Sequence, residues 1–280
     1  VRVGRLHDAL AALVARAPGR LGVTVIDPYR GARYSVNGDQ MFGLASVFKL
    51  AVAIAAFRLS DDRKLSLDDR VLVTAADLRR GPSPIRDAHP RGNVTYTYWQ
   101  LIRAMLAESD NTACDLVLHA VGDPPAVQHL MHELGFSAFS IRKSEADLAA
   151  DARAGRAFAR GGDNGATPDA VAGLLLALQT QRLLSLDATN ELLLDLEAAR
   201  TGPERLHAGF PAQLSLAHKT GTSDTFGGRT AATNDAGIVT LPDGRVIVVV
   251  AFLRDSPAND AARDETLANV ARAVADAYVP

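Results

Sequence analysis

Ser46-Val47-Phe48-Lys49-Leu50-Ala51-Val52-Ala53-Ile54-Ala55-Ala56-Phe57-Arg58-Leu59 is almost continuously apolar and rich in alanine. A surface helix carries an apolar stripe and a polar face. This stretch has no polar face, so it predicts a helix buried nearly all round, in the middle of a packed domain. Its single early charge, Lys49, sits three residues after Ser46, and residues three apart share a helix face. The hydroxyl would stand at the positive end of the helix dipole. An amine in an apolar helix loses hydration, which favours its neutral, basic form. A hydroxyl with a base in reach is how serine becomes a nucleophile.

The pattern on either side differs. Upstream, Leu6, Leu10, Leu13 and Val14 follow helical spacing up to Pro18-Gly19, and Leu21–Ile26 and Ala32–Val36 read as strands around Asp27, Pro28 and Gly31. Downstream, the chain stays helical to about residue 200: Tyr98–Ala107, Thr112–Val121, Pro125–Leu134, Pro168–Leu178 and Asp187–Ala199. After Gly202-Pro203 the period returns to two, through Leu214–Lys219, Thr230–Leu241 and Arg245–Arg254, with Asp243-Gly244 as a hairpin signal. An amphipathic helix spans Asn259–Tyr278. Strands thus flank a helical middle. The expected fold is α+β of the α/β sandwich type: an antiparallel sheet from both chain ends, covered by terminal helices, with an inserted all-helical lobe. Residues 1–45 and 201–280 would form the sheet lobe and 46–200 the helical one, with the active site in the cleft between them.

Composition narrows the function. The chain has 280 residues, 48% hydrophobic and 22% charged, enough for a packed core. Lys+Arg 30 against Asp+Glu 32 gives −2, which argues against a nucleic-acid surface, and Arg79-Arg80 is too short to be one. No apolar run approaches the roughly 18–20 residues of a membrane span. The one cysteine, Cys114, allows no internal disulfide and reads as a buried small hydrophobe. The first residue is Val1 and no signal-peptide pattern opens the chain, as in a processed exported protein. His129, His132 and Glu133 lack the His-Glu-x-x-His spacing of a metal helix, and no metal or cofactor is expected. Tyr98 and Trp99 read as core, Gly161–Gly165 as a plain loop, and Ser140-Ile141-Arg142-Lys143 as a chance copy of Ser-x-x-Lys without an apolar helix.

Two further stretches carry chemistry. In Ser109-Asp110-Asn111, a loop serine can pass a proton and Asn111 can offer amide donors to a carbonyl; equally, Ser109 or Asp110 caps the helix that follows. In Lys219-Thr220-Gly221-Thr222, the alternation points Lys219 away from the Leu214/Leu216 face, and Gly221 lets a ligand backbone approach the strand, or marks an ordinary strand end.

Ser-x-x-Lys, Ser-Asp-Asn and Lys-Thr-Gly in this order resemble the class A serine β-lactamases, over nearly the whole chain. Ser83-Pro84-Ile85-Arg86-Asp87, Thr201-Gly202-Pro203-Glu204-Arg205-Leu206 and Thr230-Ala231-Ala232-Thr233-Asn234-Asp235 are similar to the branch with extended-spectrum cephalosporinases. The resemblance implies that Ser46 attacks the lactam carbonyl, Lys49 takes part in proton transfer and Ser109 protonates the lactam nitrogen. It implies that Asn111 holds the side-chain amide and that Lys219, Thr220 and Thr222 face the substrate carboxylate. The backbone N–H groups of Ser46 and Thr222 would make the oxyanion hole. Arg205 either adds charge toward that carboxylate or is a surface arginine near a helix end. Glu145 occupies the place of the water-activating carboxylate, expected on a loop, with Asp147 as its neighbouring competitor. The family commonly has a polar side chain after the following Leu148; here it is Ala149, which bears on deacylation. The implied function is β-lactam hydrolysis and antibiotic resistance by a periplasmic or secreted monomer. The alternatives are an acceptor or sensor that stays acylated, and a D-Ala-D-Ala carboxypeptidase.

Overall fold

The computed structural model describes residues 3–154 and 163–279. The expected Gly161-Gly162 part of the loop lies outside them. Strands Arg20–Asp27 (β1), Ala32–Val36 (β2), Ser215–Thr222 (β3), Thr233–Thr240 (β4) and Val246–Arg254 (β5) form one antiparallel sheet in the order β2-β1-β5-β4-β3. The sheet therefore comes from both ends of the chain. β5 is apolar from Val246 to Leu253 because both of its faces are covered: Val248, Val250 and Phe252 belong to one core, and Ile247, Val249, Ala251 and Leu253 to the other. The second core is closed by helices Leu6–Arg16 (α1) and Asp260–Tyr278, the first through Leu6 and Leu10, the last through Leu267, Val270 and Val274.

The first core holds the helical middle. Helix Lys49–Asp61 (α2) is buried at every residue from Lys49 to Phe57, as its composition requires. Around it lie Tyr98–Ala107 (α3), Asn111–Ala120 (α4), Asp123–Glu133 (α5), Glu145–Arg153 (α6), Pro168–Gln179 (α7) and Leu186–Glu197 (α8), followed after the sheet strands by Asp260–Tyr278 as α9. Trp99 packs edge-on against Phe57, with ring centroids 5.4 Å apart.

Three features depart from the sequence reading. The middle is not purely helical: Arg70–Val73 pairs with Val94–Thr97, and Gly165–Ala166 bridges Phe42–Gly43 to Phe139–Ser140. These pieces are too short for a period of two to show. The Thr230–Leu241 strand is broken, since Thr230 pairs with Thr225 and Ser256 while β4 starts at Thr233. Finally, the α-helix begins at Lys49, and Ser46 lies in a 3-10 turn, Ala45–Phe48, entered through Ala45 at φ 44°.

Gly221 joins the two halves. A Cβ there would stand 2.4 Å from Leu44 O, 3.0 Å from Ser46 N and 3.1 Å from Val47 N. The missing side chain thus admits the protein's own Leu44–Val47 turn, where the sequence suggested room for a ligand. Gly221→Ala should lower stability by about 1–3 kcal/mol through overpacking against backbone that cannot swing aside. Thermal unfolding of the variant checks this; an unchanged Tm would show that the turn yields freely.

Candidate functional site

At the junction of α2, α4, α6 and β3 lies a cleft of 590 Å³ whose lining includes Ser46, Ser109, Asn111, Glu145, Arg205, Thr220 and Thr222. Lys49 and Lys219 lie fully buried beneath it. As an ammonium Lys49 has three N–H donors. They go to Ser109 O at 2.7 Å, Asn111 Oδ1 at 2.6 Å and Ser109 Oγ at 3.3 Å, and Glu145 Oε1 stands 3.0 Å away as the ion-pair partner. One amine therefore draws two distant stretches of sequence onto its own helix. The Ser46 hydroxyl, half-buried in the same cleft, makes no hydrogen bond among the described residues.

Ser109 sits at φ 58°, a left-handed conformation that costs a non-glycine residue free energy. Its hydroxyl lies between the two amines, 3.1 Å from Lys219 Nζ. The turn is held because Asp110 caps α4: its carboxylate accepts from Ala113 N at 2.9 Å and Ile85 N at 2.8 Å, and takes the Ser83 hydroxyl at 3.1 Å. Of the two readings of this stretch, the capping one is met by Asp110, while Ser109 and Asn111 turn their side chains toward Lys49. Asn111 gives one amide hydrogen to Arg80 O at 2.8 Å and keeps the other.

Glu145 is the first residue of α6, not a loop residue. Ser144 caps the helix in a capping box with Asp147, whose carboxylate takes the Ser144 backbone N–H and hydroxyl. Asp147 is thereby committed to the cap, and Glu145 is the carboxylate at Lys49. The start of α6 is held from beneath by Asp115, which accepts from Glu145 N at 2.8 Å, Ala146 N at 3.0 Å and Arg79 Nε at 2.6 Å. The sequence reading passed over Asp115. Its position four residues after Asn111, on the same helix face, was the available signal.

Lys219 points to the cleft side of β3 and donates to Ser109 Oγ and to Thr220 O at 3.0 Å. Burial, reinforced by the nearby charge of Lys49, pushes its ammonium down to about 7. Arg205 is buried at 7% exposure, so the surface reading fails: it donates to Thr222 Oγ1 at 2.7 Å, to Gly221 O and Asn234 O, and pairs with Asp264 at 2.7 Å. Thr220 Oγ1 lies 2.6 Å from Thr201 Oγ1. Ala149 lines the cleft with Leu148 and offers no polar side chain there.

The residues set aside lie elsewhere. Cys114 is buried, and burial pushes its thiol well up, away from the reactive thiolate. His129 faces Glu133 at 3.2 Å and His132 faces Gln128. Ser140 ends a short strand and donates to Asp163 O. Among the described residues no helix is long and apolar enough to cross a membrane.

The profile of a family described as "Beta-lactamase enzyme family" matches residues 5–278. The extended-spectrum β-lactamase PER-1 of Pseudomonas aeruginosa is 31% identical over 95% of this chain and 85% of its own length. A β-lactamase structure from Chitinophaga pinensis superposes with a TM-score of 0.92 at 35% identity, covering 98% of this chain and 99% of that one. An ancestral class A β-lactamase gives 0.87 at 34% identity, over 98% and 100%.

Asp115→Ala would leave the buried Glu145 N–H, the half-buried Ala146 N–H and Arg79 Nε without their acceptor. The expected cost is about 2–3 kcal/mol in thermal unfolding, with faster amide exchange at Glu145 and Ala146. Asp115→Asn should recover part of it. Unaltered exchange in the alanine variant would mean that α6 is held by other contacts.

Proposed function

The chain belongs to the β-lactamase enzyme family, and from that premise we propose how the residues of its cleft divide the work of hydrolysing a β-lactam. It is an enzyme of class A, and β-lactam hydrolysis with antibiotic resistance is its function. The observation that carries the assignment of roles is Lys49, which holds Glu145, Ser109 and Asn111 around the floor of the cleft that Ser46 opens onto.

In this reading Ser46 Oγ attacks the lactam carbonyl and its proton passes to the Glu145 carboxylate, directly or through water. The oxyanion accepts from the backbone N–H groups of Ser46 and Thr222. The C–N bond breaks as Ser109 gives its proton to the lactam nitrogen and recovers one from Lys49 or Lys219, and the proton held by Glu145 returns to the amines through Lys49. Asn111 holds the amide of the acyl side chain. Lys219, Thr220, Thr222 and Arg205 face the ring carboxylate. Glu145, ionised again, then takes a proton from water, which attacks the ester carbonyl, and that proton returns to Ser46 Oγ as the ester C–O bond breaks. The sheet-bearing segments 1–45 and 201–280 and the helical 46–200 form the two walls. One chain supplies every group, which supports a monomer. The cell-wall targets of β-lactams support a periplasmic or secreted enzyme. A lasting acceptor is disfavoured by Glu145, buried at Lys49 where water can be activated, and a carboxypeptidase by the names of the relatives.

Mass spectrometry after mixing with a penicillin tests the roles. Wild type should show turnover and little adduct. Glu145→Gln should accumulate one acyl group per chain, with steady-state turnover down by about 10²–10⁴. Ser46→Ala should show no adduct. Near-normal turnover in Glu145→Gln would remove Glu145 from deacylation.

The sign of a pH effect follows from Lys219. Below about 7 its ammonium is charged in the free enzyme, and above that it discharges. Because kcat/KM reports the free enzyme, kcat/KM for a carboxylate-bearing lactam should fall as pH rises through that region, with less change in kcat. Lys219→Arg should move the limb upward, since guanidinium stays charged. A limb that stays in place in Lys219→Arg would assign it to another group.

A further inference from the structure

Two arginines that line the cleft take no part in the mechanism above, Arg80 and Arg153. Both are exposed, and among the described residues neither guanidinium has a hydrogen-bond or ion-pair partner. Other arginines nearby are consumed: Arg79 by Asp115, Arg86 by Asp87 and the carbonyls of Arg79 and Gly81, and Arg205 by Asp264 and Thr222.

The backbone presenting Arg80 is built to stay in place. Arg79 N donates to Thr112 Oγ1 at 3.0 Å, Asn111 Nδ2 to Arg80 O at 2.8 Å, and Asn111 N to Pro82 O at 2.8 Å. The loop is tied to the residue assigned to the side-chain amide, while its own cation is left over. Arg153 ends α6. Glu145, Leu148, Ala149, Ala152 and Arg153 recur at helical spacing, and all five line the cleft. Along this wall the lining runs from a carboxylate, through three apolar side chains, to a cation about 12 Å from the start. Apart from Glu145, the acidic side chain in the lining is Asp224, two residues beyond Thr222, next to the groups assigned to the ring carboxylate.

We propose that Arg80 and Arg153 form a second anion subsite, for β-lactams whose acyl side chain is apolar beside the ring amide and ends in a carboxylate. The subsite rests on the lactam reading above: with the side-chain amide at Asn111, the acyl chain leaves between the Arg80 loop and the Leu148–Ala152 wall. Its free carboxylate then meets the two unspent cations. The subsite selects among substrates, and the reacting groups are those already described.

The test compares two penicillins on the same nucleus, one with a hexanoyl and one with an adipoyl side chain, which differ at the distal end by a carboxylate. In wild type the kcat/KM ratio of adipoyl to hexanoyl should exceed about five at low ionic strength and sink toward one in about 0.5 M NaCl. Arg80→Gln and Arg153→Gln should each lower the ratio about two- to threefold, mostly through KM, and the double variant should bring it near one. Arg153→Lys should retain most of it. A wild-type ratio at or below one, or a ratio indifferent to both glutamine variants, overturns the subsite while the lactam reading stands. Turnover of neither penicillin overturns that reading and the subsite with it.

Discussion

A buried ammonium is tolerable only when its donors are all met, because the cost of taking it out of water exceeds what any one partner returns. Lys49, fully enclosed at the start of α2, takes its acceptors from the Ser109–Asn111 turn and its countercharge from the first turn of α6, so both must arrive. Folding and site assembly are therefore one event at this residue. A chain lacking Glu145 in place would carry an uncompensated charge in its core. The apolar helix around Lys49 is what makes the requirement strict, since its side chains offer the amine no other acceptor.

The sheet imposes the matching constraint from the opposite side. Asn234 of β4, registered against Gly221, gives its amide hydrogens to Gly43 O and Leu44 O, and so fixes the chain just before Ser46. Its neighbour Asp235 is buried on the other face, 2.8 Å from His218 Nδ1, and also accepts from Leu206 N. A carboxylate can only accept, so His218 carries the proton at Nδ1. Through these adjacent residues β4 holds the Ser46 turn, the Lys219 strand and the Arg205 turn in one register. A slip of one residue in β3 would reverse both lysine and histidine across the sheet.

Such a register explains what the sequence could disclose. The buried helix, the return of strands after residue 200 and the motif residues were legible because each is a strong local pattern: continuous apolarity, a period of two, or a named triplet. Arg205 was ambiguous because burial by a long-range ion pair with Asp264 leaves no local trace. Asp115 and Asn234 were missed for the same reason, since their partners lie 30 and about 190 residues away in the chain. The short strands within 46–200 were lost because two to four residues cannot establish a period. α6 was read as loop although Ser144 and Asp147 spell a capping box, a polar signal that the search for apolar periodicity passes over.

Strain is distributed in the same way. Ala45 at φ 44° and Ser109 at φ 58° are non-glycine residues in left-handed backbone, each costing on the order of 1–3 kcal/mol. One immediately precedes Ser46, and the other carries the hydroxyl between the two amines. Neither could persist if its surroundings were free to relax. Ala45 is bracketed by the Asn234 amide on Leu44 O and by Gly221 packed on the Ser46 amide. Ser109 is bracketed by Lys49 on its carbonyl, Lys219 on its hydroxyl and the Asp110 cap beside it. The same buried cations that require satisfaction thus hold the backbone away from its minimum, with one serine facing the open cleft and the other between two donors. Relieving the strain by glycine would lower the local energy and also free these residues from the conformation in which the cleft has its geometry, so stability and positioning are opposed at these two residues.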